Sequence, residues 1–121
     1  VEVKAKKGEE ALKQMLKLDE NACYLGECAL VGYHSPINDL NTIFFSTLYD
    51  ENASCHLAFG DAFLNLVKGY QNMSKEELDK LPLNKSIVHT DFMIGSKDLS
   101  IVGTDKDGKE IQIFKDGDWC I

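Results

Sequence analysis

Basic stripes, membrane-length apolar runs and paired thiolate motifs are all missing from this chain of 121 residues. Its 13 basic side chains face 20 acidic ones, giving a formal net charge of -7. Nucleic acid and anionic membranes are therefore poor partners, because both are held first by clustered cations. No apolar run approaches the roughly 20 residues that a membrane helix needs. The first residues alternate charged and apolar, without the apolar core of a secretory signal. There are four cysteines, Cys23, Cys28, Cys55 and Cys120, and none is spaced as C-x-x-C, which argues against a zinc knuckle. The expectation is reduced, buried cysteines in a cytosolic protein. H-E-x-x-H is absent, so no helix-borne zincin site exists. A glycine-rich phosphate loop, a nucleophile elbow, repeats and linkers are absent too.

What remains is ordinary globular material, 44% hydrophobic and 27% charged. The length suits one domain, residues 1–121, with a real core. The chain opens at Val1 inside a strand-like alternation, Val1 to Lys6, which suggests a domain cut from a longer protein. Gly8 to Leu18 reads as an amphipathic helix with Glu9 and Glu10 at its N-terminus. Ala22 to Tyr33 is apolar on both faces and is expected as a central, doubly covered strand. Ala53 to Phe59 is a further buried strand, ended by Gly60. Ser74 to Leu81 is a short helix with a capping box, Ser74 followed three residues on by Glu77, and Pro82 stops it. Asp107-Gly108 and Asp116-Gly117 mark hairpins between Leu99–Val102, Glu110–Phe114 and Trp119–Ile121. The fold class implied is α+β: a mixed, mostly antiparallel sheet with a C-terminal β-meander and two or three short helices.

The stretch Ser86 to Gly95 alternates as a strand, placing Ile87, His89, Asp91 and Met93 on one face. A carboxylate on such a face is costly unless paired or bound to a cation. His89 and Asp91 can pair with each other or grip one metal ion. Glu27 and His56 lie on the other two buried strand candidates, where packing alone calls for no ionisable group. Each alone has an ordinary reading as a salt bridge or a hydrogen-bonded core residue. Together, two imidazoles and two carboxylates are a ligand set for a divalent metal, and carboxylates can bridge two metals roughly 3.5–4 Å apart. Asp50 and Glu51 could orient a metal-bound imidazole, though a cap or turn role is the simpler reading. His34 reads as solvated, and Asp105 to Gly108 as a hairpin turn rather than a calcium loop.

Four blocks, Leu25–Val31, Ser35-Pro36-Ile37, Asp50–Ala58 and His89–Gly95, resemble in order the C-terminal part of the thermophilic-type metalloaminopeptidases. That family includes aminopeptidase T, aminopeptidase S and PepS. The resemblance implies a cytoplasmic two-metal exopeptidase acting on peptides, with two divalent ions (Zn, Co, Mn or Mg) and a homodimeric assembly. It implies that Glu27, His56, His89 and Asp91 sit at metal-ligand positions. It also implies that a further metal-binding Glu, its acidic neighbour and the general base lie upstream of Val1. Where the family usually has an active-site Tyr, seven residues after His56, this chain has Phe63, which cannot donate a hydrogen bond. Two functional expectations follow. One is the C-terminal metal-binding domain of an aminopeptidase, inactive in isolation; the other is a non-catalytic dimerisation or single-metal module with the inherited fold.

Overall fold

The computed structural model describes residues 2–120. Helix α1 (Glu9–Met15) leads to strand β1 (Leu25–Ala29), the single-turn helices α2 (Pro36–Asp39) and α3 (Thr47–Asp50), and strand β2 (His56–Gly60). Helix α4 (Lys75–Asp79) and strand β3 (His89–Met93) follow, then β4 (Ile101–Thr104), β5 (Glu110–Lys115) and β6 (Asp118–Trp119). The strands form two antiparallel three-stranded sheets, ordered β1-β2-β3 and β4-β5-β6. The α+β class, the short helices and the C-terminal meander are as the sequence implied.

The chain divides into two compact units. One comprises the chain through Glu27 with Ala58–Asp91. Here α1 carries two acids in its first turn, an ion pair between Glu9 and Lys13, and a 2.7 Å bond from Gln14 to Glu10. Leu16, just past its end, is buried, and Met15 Sδ accepts the Thr90 hydroxyl at 2.8 Å. Gly60 N–H donates to Tyr24 O at 2.8 Å and Asp61 N–H to Val88 O at 2.7 Å. The loop entering β3 is held by Asp19, whose carboxylate accepts Ile87 N–H at 2.8 Å and the Ser86 hydroxyl at 2.7 Å. The capping box of α4 forms as read, Ser74 and Glu77 each satisfying the other's backbone N–H.

The other unit comprises Cys28–Leu57 and the chain from Phe92 on. Ser35 caps α2 by accepting Asn38 N–H at 3.1 Å and donates to Asn52 O at 3.2 Å. The buried Cys55 thiol bridges the Val31 backbone, lying 3.2 Å from both its N–H and its C=O, and Cys55 O accepts Ile94 and Gly95 N–H at 2.9 Å. In the meander, β4 pairs with β5 from Thr104↔Glu110 to Ile101↔Phe114, with an irregularity after Ile101. Asp116 and Gly117 both take positive φ, 51° and 80°, as a two-residue hairpin turn of the twisted kind requires. Phe114 is fully buried against Trp119, ring centroids 4.4 Å apart.

Several details differ from the sequence reading. The stretch ahead of α1 is not a strand: Ala5 N–H goes to the Glu9 carboxylate at 2.9 Å instead of a strand partner. Val1, and Ile121 at the other end, lie outside the described residues. The stretch Ala22–Tyr33 yields only the five residues of β1, because Ala22 to Tyr24 close a turn on Asp19 and Asn21. β1 is an edge strand with Leu25 and Cys28 exposed; the middle place belongs to β2. Its apolar faces reflect small residues rather than double coverage. All four cysteines are free, yet only Cys55 is buried.

Hydrogen bonds from Ile87 N–H and then the Ser86 hydroxyl hold the Asp19 carboxyl below its usual pKa, burial working against them and Asn21 N–H adding to them. A lowered folded-state pKa contributes stability above the unfolded value of about 3.9 that is lost as pH falls through the folded value. Asp19→Ala is therefore expected to lower the melting temperature at pH 7, with the gap from wild type closing in strong acid. Thermal melts across pH 2 to 7 measure this.

Candidate metal centre

Strand alternation and the pairing of neighbouring strands assemble one cluster. His89 and Asp91 are alternate residues of β3, so both side chains leave the same face. Glu27 lies on β1. Its Oε2 is 3.1 Å from His89 Nε2, and Asp91 Oδ1 is 3.2 Å from that same nitrogen. The three side chains are only 11–22% exposed. These distances suit ion pairing, yet the directions do not: His89 Nε2 and Asp91 Oδ1 are buried atoms without a hydrogen-bond partner.

The other ring nitrogen explains why. His89 Nδ1 lies 2.7 Å from Asp61 O. A carbonyl oxygen only accepts, so Nδ1 carries the proton and donates. In the neutral ring Nε2 then bears a lone pair, and it faces two carboxylates. Three electron-rich atoms converging in a largely buried space are unfavourable until a cation joins them. The cation can be a proton on Nε2 or a metal ion. An imidazole oriented by a backbone carbonyl, beside two carboxylates, is the donor chemistry of a divalent zinc-, cobalt- or manganese-type site.

The Phe63 ring lies against this imidazole, centroids 4.7 Å apart at 47°, with 43% of the residue exposed. The sequence flagged Phe63 without revealing this contact. His56, first residue of β2 and in the second compact unit, is 1% exposed, and its Nδ1 is 3.0 Å from Ser54 O. It too therefore donates from Nδ1 to a backbone carbonyl. Asp50 takes the turn role: its carboxylate accepts Phe44 N–H at 2.8 Å and Ser46 N–H at 3.0 Å, holding the turn that leads into α3. His34 is exposed, 3.4 Å from Asp39. Sequence reasoning missed Asp61, because its contribution is a main-chain carbonyl that no side-chain pattern signals.

The donors gathered here are of the kind that could hold a divalent metal ion. The model of the thermophilic metalloprotease (M29) family matches residues 1–119, so the chain belongs to that family. It is 54% identical to aminopeptidase AmpS of Bacillus subtilis and 45% identical to aminopeptidase T of Thermus aquaticus, over 99% and 100% of this chain. The solved structure of wild-type AmpT from Thermus thermophilus superposes with a TM-score of 0.82 at 41% identity over 100% of this chain. The chain spans 29% of the length of each of these relatives. Membership in a metalloprotease family implies a divalent metal, and the orphaned atoms at His89 and Asp91 fit one. Among the described residues no helix is long and apolar enough to cross a membrane.

The His89 pKa is raised above its ordinary value of 6.5: burial opposes the imidazolium, but the Asp61 carbonyl and the charges of Asp91 and Glu27 outweigh it. A raised folded-state pKa stabilises the metal-free fold below the unfolded value, and that contribution disappears as pH rises through the folded value. The His89 ring titration, followed by NMR in metal-free chain, is expected above 6.5; Asp91→Asn should move the midpoint down. A midpoint below the ordinary value would contradict the charge arrangement described.

Proposed function

We propose that residues 1–121 form the C-terminal metal-binding domain of a cytoplasmic, homodimeric, dinuclear metalloaminopeptidase that removes N-terminal residues from peptides. The observation that carries this reading is the pair of buried, unsatisfied atoms, His89 Nε2 and Asp91 Oδ1, beside the Glu27 carboxylate. Family membership supports the peptidase class, and relatives named as aminopeptidases support the exopeptidase one.

In this reading Glu27, His56, His89 and Asp91 are the metal ligands supplied by this chain. The donor chemistry of Glu27, His56 and Asp91 suits a divalent ion. His56 resembles His89 in giving its Nδ1 proton to a backbone carbonyl, which leaves Nε2 as the coordinating nitrogen of the neutral ring. Two bound divalent ions, Zn, Co, Mn or Mg, would supply a water of lowered pKa and polarise the scissile carbonyl. The carboxylates of Glu27 and Asp91 would neutralise part of the ions' charge, and the imidazoles of His56 and His89 would complete the donors this chain supplies. His89 is kept in one tautomer, so that its lone pair is available without ring reorientation. General base duty falls to a carboxylate upstream of Val1, so the chain alone is expected to lack activity.

Phe63 favours the second reading, a non-catalytic dimerisation or single-metal module. Its phenyl ring packs on His89 but cannot donate a hydrogen bond to a tetrahedral intermediate. Calorimetric titration with zinc or cobalt separates the two readings. Two tight sites support the dinuclear centre, and one weak site or none supports the module. His89→Ala should abolish any tight site, and unchanged affinity would remove its assigned role. The purified 121-residue chain is expected to release little or no dye from an aminoacyl substrate with cobalt or zinc added; robust release would overturn the assignment of the base to upstream residues.

A further inference from the structure

We propose that Gly26 is a positioning residue for the metal centre: by having no side chain it lets the Asp61 carbonyl reach His89 Nδ1, and that carbonyl selects the tautomer presenting a bare Nε2 to Glu27 and Asp91. The proposal rests on the metal reading above for its purpose, though not for its geometry.

The argument begins with space. A Cβ added at Gly26 would lie 2.2 Å from Asp61 O, 2.3 Å from Gly60 O and 2.6 Å from Asp61 C. All three are backbone atoms, so no side-chain rotation relieves the clash. The backbone on the other side is equally constrained. Gly60 has φ +96°, and a Cβ there would stand 2.0 Å from Val88 O. Asp61 is fastened in two further ways: its N–H donates to Val88 O at 2.7 Å and its carboxylate accepts Ser86 N–H at 3.0 Å. With the residue held on both sides, its carbonyl is directed at His89 Nδ1, 2.7 Å away.

The tautomer matters because of what faces the far side of the ring. A solvated neutral histidine favours the Nε2–H form. At His89 that form would place a proton on the nitrogen lying 3.1 Å from Glu27 and 3.2 Å from Asp91, where a metal ion needs a lone pair. The Asp61 carbonyl reverses the preference by rewarding Nδ1–H. Gly26 directly precedes the ligand Glu27, so one strand supplies both a ligand and the clearance that orients its neighbour. Substitution at Gly26 could weaken metal binding merely by moving Glu27; the tautomer tells the two effects apart.

The test uses nitrogen NMR of the metal-free 121-residue chain at a pH well above the His89 midpoint, with zinc calorimetry alongside. In wild type we expect a protonated Nδ1 and an unprotonated Nε2 at His89; the opposite assignment overturns the proposal even if no variant folds. Gly26→Ala should shift His89 toward Nε2–H and weaken zinc binding roughly 10- to 100-fold. Wild-type tautomer with wild-type affinity in that variant overturns the role of Gly26. Asp61→Asn, which keeps the carbonyl, should keep the tautomer; its loss there would reassign the effect to the Asp61 side chain and overturn the proposal. If wild type binds no zinc while the Nδ1–H tautomer is found and Gly26→Ala loses it, the positioning stands and the metal reading fails.

Discussion

The convergence of one imidazole edge and two carboxylates in a largely buried space is the constraint on which the rest of this structure depends. The Nε2 edge of His89 meets oxygens of Glu27 and Asp91 in a space where neither His89 Nε2 nor Asp91 Oδ1 finds a hydrogen-bond partner. Water could solvate these groups if the site were open, but burial removes that route. The arrangement favours positive charge at its centre. The strand alternation of β3 and the place of Glu27 on β1 bring these groups together.

The devices are mostly main-chain ones. The backbone carbonyl of Asp61 orients His89, and that of Ser54 orients His56. The Asp19 carboxylate fastens backbone and hydroxyl groups at Ser86 and Ile87, just ahead of the strand that carries His89 and Asp91. Rigid backbone support of this sort places a side chain more tightly than another flexible side chain could, because fewer rotamers must be frozen. Phe63 adds an apolar wall to one side of the imidazole.

The sequence was informative where a local rule had a local cause. Alternation through His89 and Asp91 identified β3 and the shared face of these two side chains. The spacing of Ser74 and Glu77 identified the capping box, and Asp116-Gly117 the hairpin. It misled where a pattern had two physical sources. The apolar run through Leu25 and Ala29 looked doubly covered, yet β1 is an edge strand, since small residues fill a face without burying it. Alternation ahead of α1 lost to a competing hydrogen bond from Ala5 to Glu9. The largest blind spot was Asp61. Its role in the site comes from a carbonyl oxygen, and every residue has one; only the tertiary approach of Gly26 and His89 singles it out.

The cluster also bears on how the chain folds and stays folded. Its supports join distant parts of the sequence: Asp19 reaches Ser86 across 67 positions and Asp61 reaches His89 across 28. Closing such loops costs entropy that grows slowly with length and is recovered only when the last partners meet. An unfolded chain therefore offers an ion isolated donors rather than a chelate. On the proposed metal reading, free energy released by an ion at Glu27, His89 and Asp91 would be folding free energy, and apparent stability would rise with the logarithm of free metal concentration. On that reading the same sequence would be marginal in a chelating buffer and robust in a metal-replete one, with its lifetime set by how tightly its surroundings ration the ion.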